Sequence, residues 1–155
     1  METNDEKLID EVSDELYERI GKAPIFSLPW VSQVVLVVLA AQGYVDNGGF
    51  GYFFEGDYPG NPPYSVFANA FRAIGADESA ECIELAASLF LFPDPHLNGD
   101  ARRNYLREHC MIDGRSIFDC PLEKLGDGVI DNSDANYALL AQYIRDHLDE
   151  IRRSG

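Results

Sequence analysis

The sequence predicts an all-α fold: one compact domain over residues 1–155, with about six or seven helices around a central apolar helix. Three observations lead to this fold class. Apolar residues recur every three or four positions in most segments, which is the spacing of amphipathic helices. An almost uninterrupted apolar run covers residues 34–41. The sequence shows no strand pair, hairpin turn, internal repeat or linker, and 155 residues with 46% hydrophobic side chains suffice for one core.

The first predicted helix is acidic and covers about residues 5–20. Its apolar side chains fall on one face, with carboxylates between them; they are Leu8, Ile9, Val12, Leu16 and Ile20. Gly21 and Pro24 follow, and both residues favour the end of a helix. This segment therefore reads as an amphipathic helix that packs on the rest of the domain.

The central helix is predicted from the segment 26–45. Residues 34–39 alone would also suit a buried strand, but the run continues through two alanines and is longer than a typical strand. Ser27 is the expected N-cap, and Pro29 suits the first turn. The apolar run 30–41 is much shorter than the ~20 residues that a membrane span needs. We therefore expect a buried core helix.

The stretch "DNGGFGYFF" at residues 46–54 raises the question of a phosphate-binding loop. Such loops need a third glycine or a Gly-Lys-Ser/Thr triplet, and both are missing here. Phe50, Phe53 and Phe54 instead share one face of a short helix that begins near Asn47. Gly48 and Gly49 are expected to let this helix approach the end of the central helix closely, with Asn47 or Asp46 as its cap.

Four further helices are predicted after a Pro- and Gly-rich break at 55–64. The first covers about 63–74 and ends at Gly75, and Asp77 can cap the next, which ends before Pro93. A charged helix follows at about 101–109. Residues 110–133 contain three glycines and Pro121 and read mostly as loop, with one short turn near 122–125. The last helix covers about 134–152, after a cap at 132, 133 or 134.

The charge of the chain restricts its partners. Twelve Lys and Arg residues stand against 27 Asp and Glu residues, giving a net charge of -15 and a pI near 4.3. Such a protein repels nucleic acids and anionic membrane surfaces, whereas it attracts basic proteins. We expect no direct nucleic-acid binding, no membrane association and no cofactor. The acids concentrate in two blocks: residues 1–18 have a net charge of -7, and residues 77–100 have a net charge of -6.

These two blocks predict the partner-binding residues. In the first block, carboxylates recur every four residues along one side of a helix, about 6 Å apart, which is of the order of the phosphate spacing along one DNA strand. The second block repeats the pattern at a spacing of three. The predicted set is Glu6, Asp10, Glu11, Asp14, Glu15, Glu18, Asp77, Glu78, Glu81 and Glu84. A solvated face that only keeps the protein soluble is the alternative reading.

The three cysteines indicate neither a disulfide framework nor a zinc site. Cys82, Cys110 and Cys120 cannot all pair within one chain, and no C-x-x-C spacing occurs. A reducing compartment follows as the simplest reading. The acidic N-terminal segment also lacks the basic and apolar regions of a secretory signal. We therefore expect a soluble cytoplasmic protein.

A small metal-dependent hydrolase is the enzyme alternative. Asp94, His96 and Asp100 lie in one Pro-rich loop and carry the side chains that bind divalent metals. Such side chains are also common in loops without metal. The stretch "DGVIDNSD" at 127–134 lacks the calcium-loop pattern, and His109 next to Cys110 makes a poor nucleophile–base pair. We therefore predict no catalytic residue and no metal site.

Two stretches resemble a known family. "YVDNGGFGYFFEG", with "FANAFRAIGADESAECIELA" after it, is similar to a bacterial domain family named after an acidic DNA-mimic protein. The resemblance covers roughly residues 30–150. Its most specific part is Asn47, Gly48, Gly49 and Phe50, together with Phe53 and Phe54. In that family these positions are fold determinants.

The resemblance implies an all-α, non-enzymatic domain that is often dimeric. The named member uses surface carboxylates to imitate DNA phosphates and so occupies a DNA-binding protein. The partner expected here is therefore a basic protein, such as a DNA-binding regulator. An immunity protein that neutralises a secreted toxin is the second reading that the resemblance admits. If the chain forms a homodimer, Tyr52, Tyr58 and Tyr64 are the expected interface residues.

Overall fold

The computed structural model of the chain describes residues 2–112, 115–116 and 120–153. These residues contain seven α-helices, two short 3-10 helices and one two-residue strand pair. The helices are α1 (Asn4–Ile20), α2 (Trp30–Glu55), α3 (Tyr64–Ala73), α4 (Asp77–Ser88), α5 (Gly99–His109), α6 (Pro121–Asp131) and α7 (Ser133–Arg153). The 3-10 helices are Ile25–Ser27 and Pro95–Leu97, and the strands are β1 (Met111–Ile112) and β2 (Arg115–Ser116). The prediction of an all-α single domain is confirmed.

Helix α2 lies at the centre, as its apolar sequence predicts. Helices α1, α3, α5, α6 and α7 all pack against it, and α4 packs on α3 and α6. Val34 to Val38 of α2 are almost fully buried. By length and composition α2 is the one described helix that could cross a membrane, yet more than half of its most apolar window is buried inside the domain. The apolar run is short, as noted above, but the helix that contains it spans 26 residues.

Helices α1 and α7 pack side by side in parallel. Asp5 near the start of α1 pairs with Arg145, and Glu15 near its end pairs with Arg152. The Arg19 guanidinium donates to the Ile151 carbonyl at 2.9 Å. Helix α1 begins with a capping box and ends at Gly21, which has φ 57°. The predicted amphipathic helix over residues 5–20 is confirmed.

The predicted cap of α2 is wrong. Pro29 precedes the first turn of α2, and the Ser27 hydroxyl instead donates to the Pro24 carbonyl at 2.7 Å. The Gln33 side-chain amide donates to the carbonyls of Phe26 and Leu28 at 3.1 and 3.2 Å. The approach to α2 is therefore fixed by a glutamine inside the helix, which the cap preferences of the sequence do not reveal.

The motif at 46–54 lies within the second half of α2 and contains a kink at Gly49. Gly49 has φ 70° and ψ -169°, a conformation that is essentially restricted to glycine. Glu123 of α6 caps the first turn after the kink, because its carboxylate accepts a hydrogen bond from the Gly51 N–H. The predicted caps Asn47 and Asp46 do not fill this role, because Asp46 accepts from Gln42 at 2.9 Å and from Ser133 at 2.8 Å.

Helix α6 corrects the prediction of a loop over 110–133; positions 113–114 and 117–119 of that range lie outside the described residues. Its glycines permit close packing instead of breaking the helix. A Cβ added at Gly126 would stand 3.0 Å from the Phe50 backbone nitrogen, and one at Gly128 would stand 3.1 Å from the Cys82 sulfur. The short β1–β2 pair was also not expected from the sequence.

The other helix boundaries lie within a few residues of the predicted ones. Helix α3 ends at Gly75, which has φ 88°, as predicted. Asp77 is the first residue of α4 and not its cap, because Ala76 occupies the cap position. The Asn98 side chain caps α5 by accepting from the Ala101 N–H. Local sequence therefore placed the helices better than their caps.

A disulfide bond joins Cys110 to Cys120, which contradicts the expectation that no disulfide forms. Both cysteines are buried, whereas Cys82 is free. The bond connects the end of α5 to the residue before α6. The cysteine count alone could not show this pairing, because an odd total permits one bond and one free thiol. The cysteine-based argument for a reducing compartment therefore no longer holds.

Removing this disulfide should lower the free energy of unfolding by about 2 to 3 kcal/mol, because closing a loop of this length restricts the unfolded chain. The check is urea unfolding of the Cys110→Ala/Cys120→Ala variant. A dithiol reductant should destabilise the wild-type protein by a similar amount and leave the double variant unchanged. Equal stability of oxidised and reduced wild-type protein would contradict the assignment of the bond.

Candidate partner-binding surface

The first predicted row of carboxylates lies along the solvent side of α1. Glu6, Asp10, Asp14 and Glu18 are all exposed. Glu6 also takes part in the capping box, where its Oε2 accepts from the Thr3 N–H at 2.7 Å. The other three form no ion pair with a described residue. This row, which we call the α1 row, presents unneutralised charge at a spacing of about one helical turn.

Two further predicted residues of α1 face α7 instead. Glu11 and Glu15 accept from the Arg152 guanidinium at 3.1 and 3.0 Å. Hydrogen bonding to Glu15 is the main reason why the pKa of Arg152 is raised. Asp5 is paired with Arg145 in the same way. The carboxylates of Asp5, Glu11 and Glu15 are thus paired with arginines of α7. They therefore offer less negative charge to a partner than the α1 row does.

The second predicted row lies on α4. Asp77, Glu78, Glu81 and Glu84 are exposed, and Glu84 is paired with Arg72 of α3. Burial raises the pKa of the neighbouring Cys82 thiol, and the charges of Glu78 and Glu81 raise it further. Asp77, Glu78 and Glu81 make no ion pair within the described part of the chain. We call these three residues the α4 row.

The α1 row and the α4 row lie on helices that pack against different neighbours, so the two rows do not form one continuous face. Helix α1 packs on α7 and α2, whereas α4 packs on α3 and α6. Both rows nevertheless start near the first turns of α7. The Asn136 amide of α7 donates to the Ser79 hydroxyl of α4 at 2.9 Å. On the opposite side of α7, Asp134 and Tyr137 line a cleft with the start of α1.

This cleft contains acidic residues that the sequence did not single out. Its volume is about 520 Å³, and its apolar floor includes Ile9, Leu39 and Tyr137. Its rim carries the carboxylates of Glu2, Asp5, Glu6, Asp10 and Asp134. The pKa of Glu2 is raised, chiefly by its side-chain hydrogen bond with Asp10 and to a smaller extent by burial. Asp134 belongs to the last helix, so only the folded chain brings it beside the α1 row.

The three phenylalanines of the family-like motif lie in the core. Phe50, Phe53 and Phe54 are fully buried, and their ring centroids are 4.9 to 6.0 Å apart. A Cβ at Gly49 would stand 2.8 Å from Glu123 Oε2. Burial raises the pKa of Glu123, against the opposing effect of the Gly51 N–H. The close approach at Gly49 is therefore made to α6, whereas a Cβ at Gly48 would stand 2.5 Å from the Tyr52 Cβ of the same helix.

The three metal-binding candidates do not converge. Asp100 pairs with Arg103 at 3.3 Å, and His96 lies in the short 3-10 helix before α5. Asp94 precedes that helix with φ 50°. Among the residues that the structure describes, no group of three His, Cys, Asp or Glu side chains is placed to hold a metal ion. The geometry therefore gives the hydrolase reading no ligand set.

The tyrosines expected at a dimer interface differ in exposure. Tyr52 is 46% exposed, but Tyr64 is buried and Tyr58 is half-buried, with its hydroxyl donating to the Phe53 carbonyl at 2.6 Å. Burial is the main reason why the pKa of Tyr64 is raised to about 12. Tyr17 and Tyr44, which the sequence did not single out, are 45% and 38% exposed.

Comparison with known proteins identifies the family. A model of the DMP19-like protein family matches residues 27–147, which cover most of the chain and contain both stretches on which the resemblance rests. No curated protein and no solved structure matches the chain. The match includes α2 to α6 and most of α7, and it leaves α1 outside. With its all-α architecture and buried aromatic motif, the chain belongs to the DMP19-like family of DNA-mimic proteins.

Proposed function

We propose that this protein is a non-enzymatic acidic binding protein that occupies the DNA-binding surface of a basic partner. The observation that carries the proposal is the α1 row, whose exposed carboxylates recur about every 6 Å and stay largely unpaired. A DNA-binding surface positions its lysine and arginine side chains to meet phosphates at a comparable spacing. The DNA-mimic family supports this partner class at a coarse level.

The α4 row and the cleft beside Asp134 extend the acidic surface. The two rows lie on opposite sides of the first turns of α7. A single partner that binds both rows would therefore have to reach around the N-terminal end of α7. A partner that uses only one row would be insensitive to changes in the other. The two rows therefore serve as separate targets for mutation.

Competition with DNA is the direct experiment. The protein is immobilised, a lysate of the source cells is passed over it at low salt, and captured proteins are identified. Each is then purified and tested for binding to duplex DNA with and without this protein. We expect a captured DNA-binding protein to release its DNA as this protein is added. A captured toxin that binds no DNA would support the immunity reading instead, and the absence of any basic partner would contradict the proposal.

Neutralising the α1 row should weaken partner binding by about 10- to 100-fold, since several charge-assisted contacts are lost together. The variant is Asp10→Asn/Asp14→Asn/Glu18→Gln. The matched control, Glu55→Gln/Asp94→Asn/Glu108→Gln, changes the net charge equally at exposed positions outside both rows. Equal loss of binding in both variants would show that net charge alone matters. Isothermal titration against the captured partner provides the affinities.

Affinity should also fall steeply as salt rises, because screening weakens contacts between exposed charges. We expect the dissociation constant to rise at least about tenfold between 50 and 200 mM NaCl. The measurement is the same titration at several salt concentrations. The α1-row variant should show a shallower dependence than wild-type protein. A salt-independent affinity would point to an apolar interface.

A homodimer, cytoplasmic location and the absence of membrane association remain predictions. Sedimentation velocity at several protein concentrations measures the first. Cell fractionation measures the other two. A dimer that buries the α1 row would contradict the proposed partner surface.

A further inference from the structure

We propose that a tyrosine-lined cavity on the side of α1 facing α2 and α3 binds a small amphipathic molecule with an aromatic or branched aliphatic body and an anionic headgroup. This tyrosine cavity is distinct from both acidic rows. It lies between the end of α1, the loop 21–26, the middle of α2, the loop at 58–59 and Phe67 of α3. No part of the proposed partner surface is needed for such binding.

The size of the tyrosine cavity suits a small molecule. Its volume is about 370 Å³, within the range of roughly 300 to 1,000 Å³ that is usual for ligand sites. Small side chains leave this space open, because Ala40 and Ala41 of α2 and Ala23 of the loop stand where larger residues would fill it. The walls come from α1, α2 and α3 together with the segments 21–26 and 58–59, and the cavity is open in the protein without a ligand.

The lining is chiefly aromatic and aliphatic. Tyr17, Tyr44, Tyr58 and Phe67 present rings to the cavity, and Ile20 and Ile25 complete its apolar surface. The Tyr58 hydroxyl is already bonded to the Phe53 carbonyl. That ring therefore acts as an apolar wall, whereas the half-exposed Tyr17 and Tyr44 rings stand at the opening. An apolar ligand body would cover aromatic surface that now meets water.

The charge at the tyrosine cavity points to an anionic headgroup. Among the residues that the structure describes, no carboxylate lines this cavity, and Lys22 is its one charged lining residue. An ammonium group at the rim of an apolar site pairs with a carboxylate, sulfonate or phosphate. A basic partner would find no counter-charge there. The ligand is therefore of a different class from the partner of the acidic rows.

Two dyes that differ in charge test the proposal. The anionic probe is 1-anilinonaphthalene-8-sulfonate, and the neutral probe is N-phenyl-1-naphthylamine; both fluoresce more strongly in apolar sites. We expect saturable binding of each at one site per chain. The net charge of -15 disfavours unspecific adsorption of the anionic dye. Failure of both dyes to saturate would overturn the proposal.

Variants locate the site. Lys22→Gln should weaken the anionic dye about two- to fivefold and leave the neutral dye unchanged, as expected for one exposed ion pair. Ala40→Phe should weaken both at least about tenfold by filling the cavity. The control Ala135→Phe places the same ring at an exposed position of α7 outside the cavity and should change neither. Unchanged dye binding in Ala40→Phe would contradict the assignment.

Near-UV circular dichroism and thermal unfolding show whether each variant keeps the native fold. If Ala40→Phe does not fold, Ala23→Phe on the exposed loop provides the second cavity-filling variant. It is expected to weaken both dyes without disturbing the core. Wild-type affinity for both dyes in a folded Ala23→Phe protein would overturn the proposal.

Discussion

Replacing Arg102 with methionine is expected to lower the free energy of unfolding by about 3 to 5 kcal/mol, because the change removes every donor of a buried cation. The Arg102 side chain is almost completely buried. Its Nε donates to the Phe54 carbonyl at 2.8 Å, and its Nη1 donates to the Pro95 carbonyl at 2.6 Å. Its Nη2 bonds the Gly56 carbonyl and the Asp57 carboxylate. Methionine fills the space but leaves these acceptors without their donors.

Arg103 provides the matched control. It pairs with Asp57 at 3.5 Å, but its side chain is 39% exposed. Arg103→Met should therefore cost no more than about 1 kcal/mol, the usual limit for a surface ion pair. Urea unfolding followed by circular dichroism gives both values. Similar losses in the two variants would show that the buried hydrogen bonds of Arg102 contribute little.

The contribution of the Arg102–Asp57 pair to the free energy of unfolding depends on pH in one definite direction. The hydrogen bond from Arg102 lowers the pKa of Asp57, so ionised Asp57 favours the folded state. This contribution is present above the ordinary pKa of an aspartate and is lost as the pH falls through the lowered value. The difference between wild-type protein and Arg102→Met should therefore shrink below about pH 4. The change is small, since Asp57 is largely exposed, and most of the difference comes from the carbonyl acceptors.

Replacing Gly49 with valine should lower the free energy of unfolding by about 3 to 5 kcal/mol. One part is conformational, because φ 70° with ψ -169° is close to forbidden for a branched side chain and costs about 1 to 3 kcal/mol even for simpler residues. The other part is steric. The new Cβ would stand 2.8 Å from Glu123 Oε2, so the end of this side chain must move away and lose its hydrogen bond to the Gly51 N–H, which costs about 0.5 to 1.5 kcal/mol. Chemical unfolding again measures the loss.

Two comparisons separate these causes. Gly43→Ala lies in the helical part of α2 with nothing within 4 Å of the added Cβ, so it should stabilise the protein by about 0.5 to 1 kcal/mol. Adding Glu123→Ala to Gly49→Val should recover only the stability that is lost to steric crowding. The free energy lost in Glu123→Ala alone is subtracted for this comparison. A Gly49→Val protein as stable as wild type would contradict the kink.

Local patterns predicted most of the helices because their apolar faces meet the same core. Helix α6 was missed since its glycines serve tertiary contacts. Glycine is a poor helix former in isolation, yet at Gly126 only glycine lets α6 approach the Phe50 backbone. Caps were harder to predict, because Gln33 and Glu123 bond groups that the sequence alone does not place beside them. The bond from Gly51 to Glu123 joins residues 72 positions apart, so no local pattern predicts it.

The candidate surface was predicted in its composition but not in its arrangement. The spacing in α1 identified which acids share a helix side, and the structure confirms that the α1 row is exposed. The spacing of acids in the sequence could not show that Arg152, more than 130 residues away, pairs with Glu11 and Glu15. Asp134 was missed for the same reason. Charge sign and periodicity are local properties, whereas pairing is a property of the fold.

The parallel packing of α1 on α7 has a consequence for the order of folding. During synthesis α1 is made well before α7, the helix that covers most of its apolar face. Contacts between such distant segments form late, because a long loop must close before they are gained. Until then α1 is a free acidic segment with an uncovered apolar side. The α1 row therefore takes its final position only after α7 has been made, so a nascent chain that lacks α7 would not yet present it to a partner.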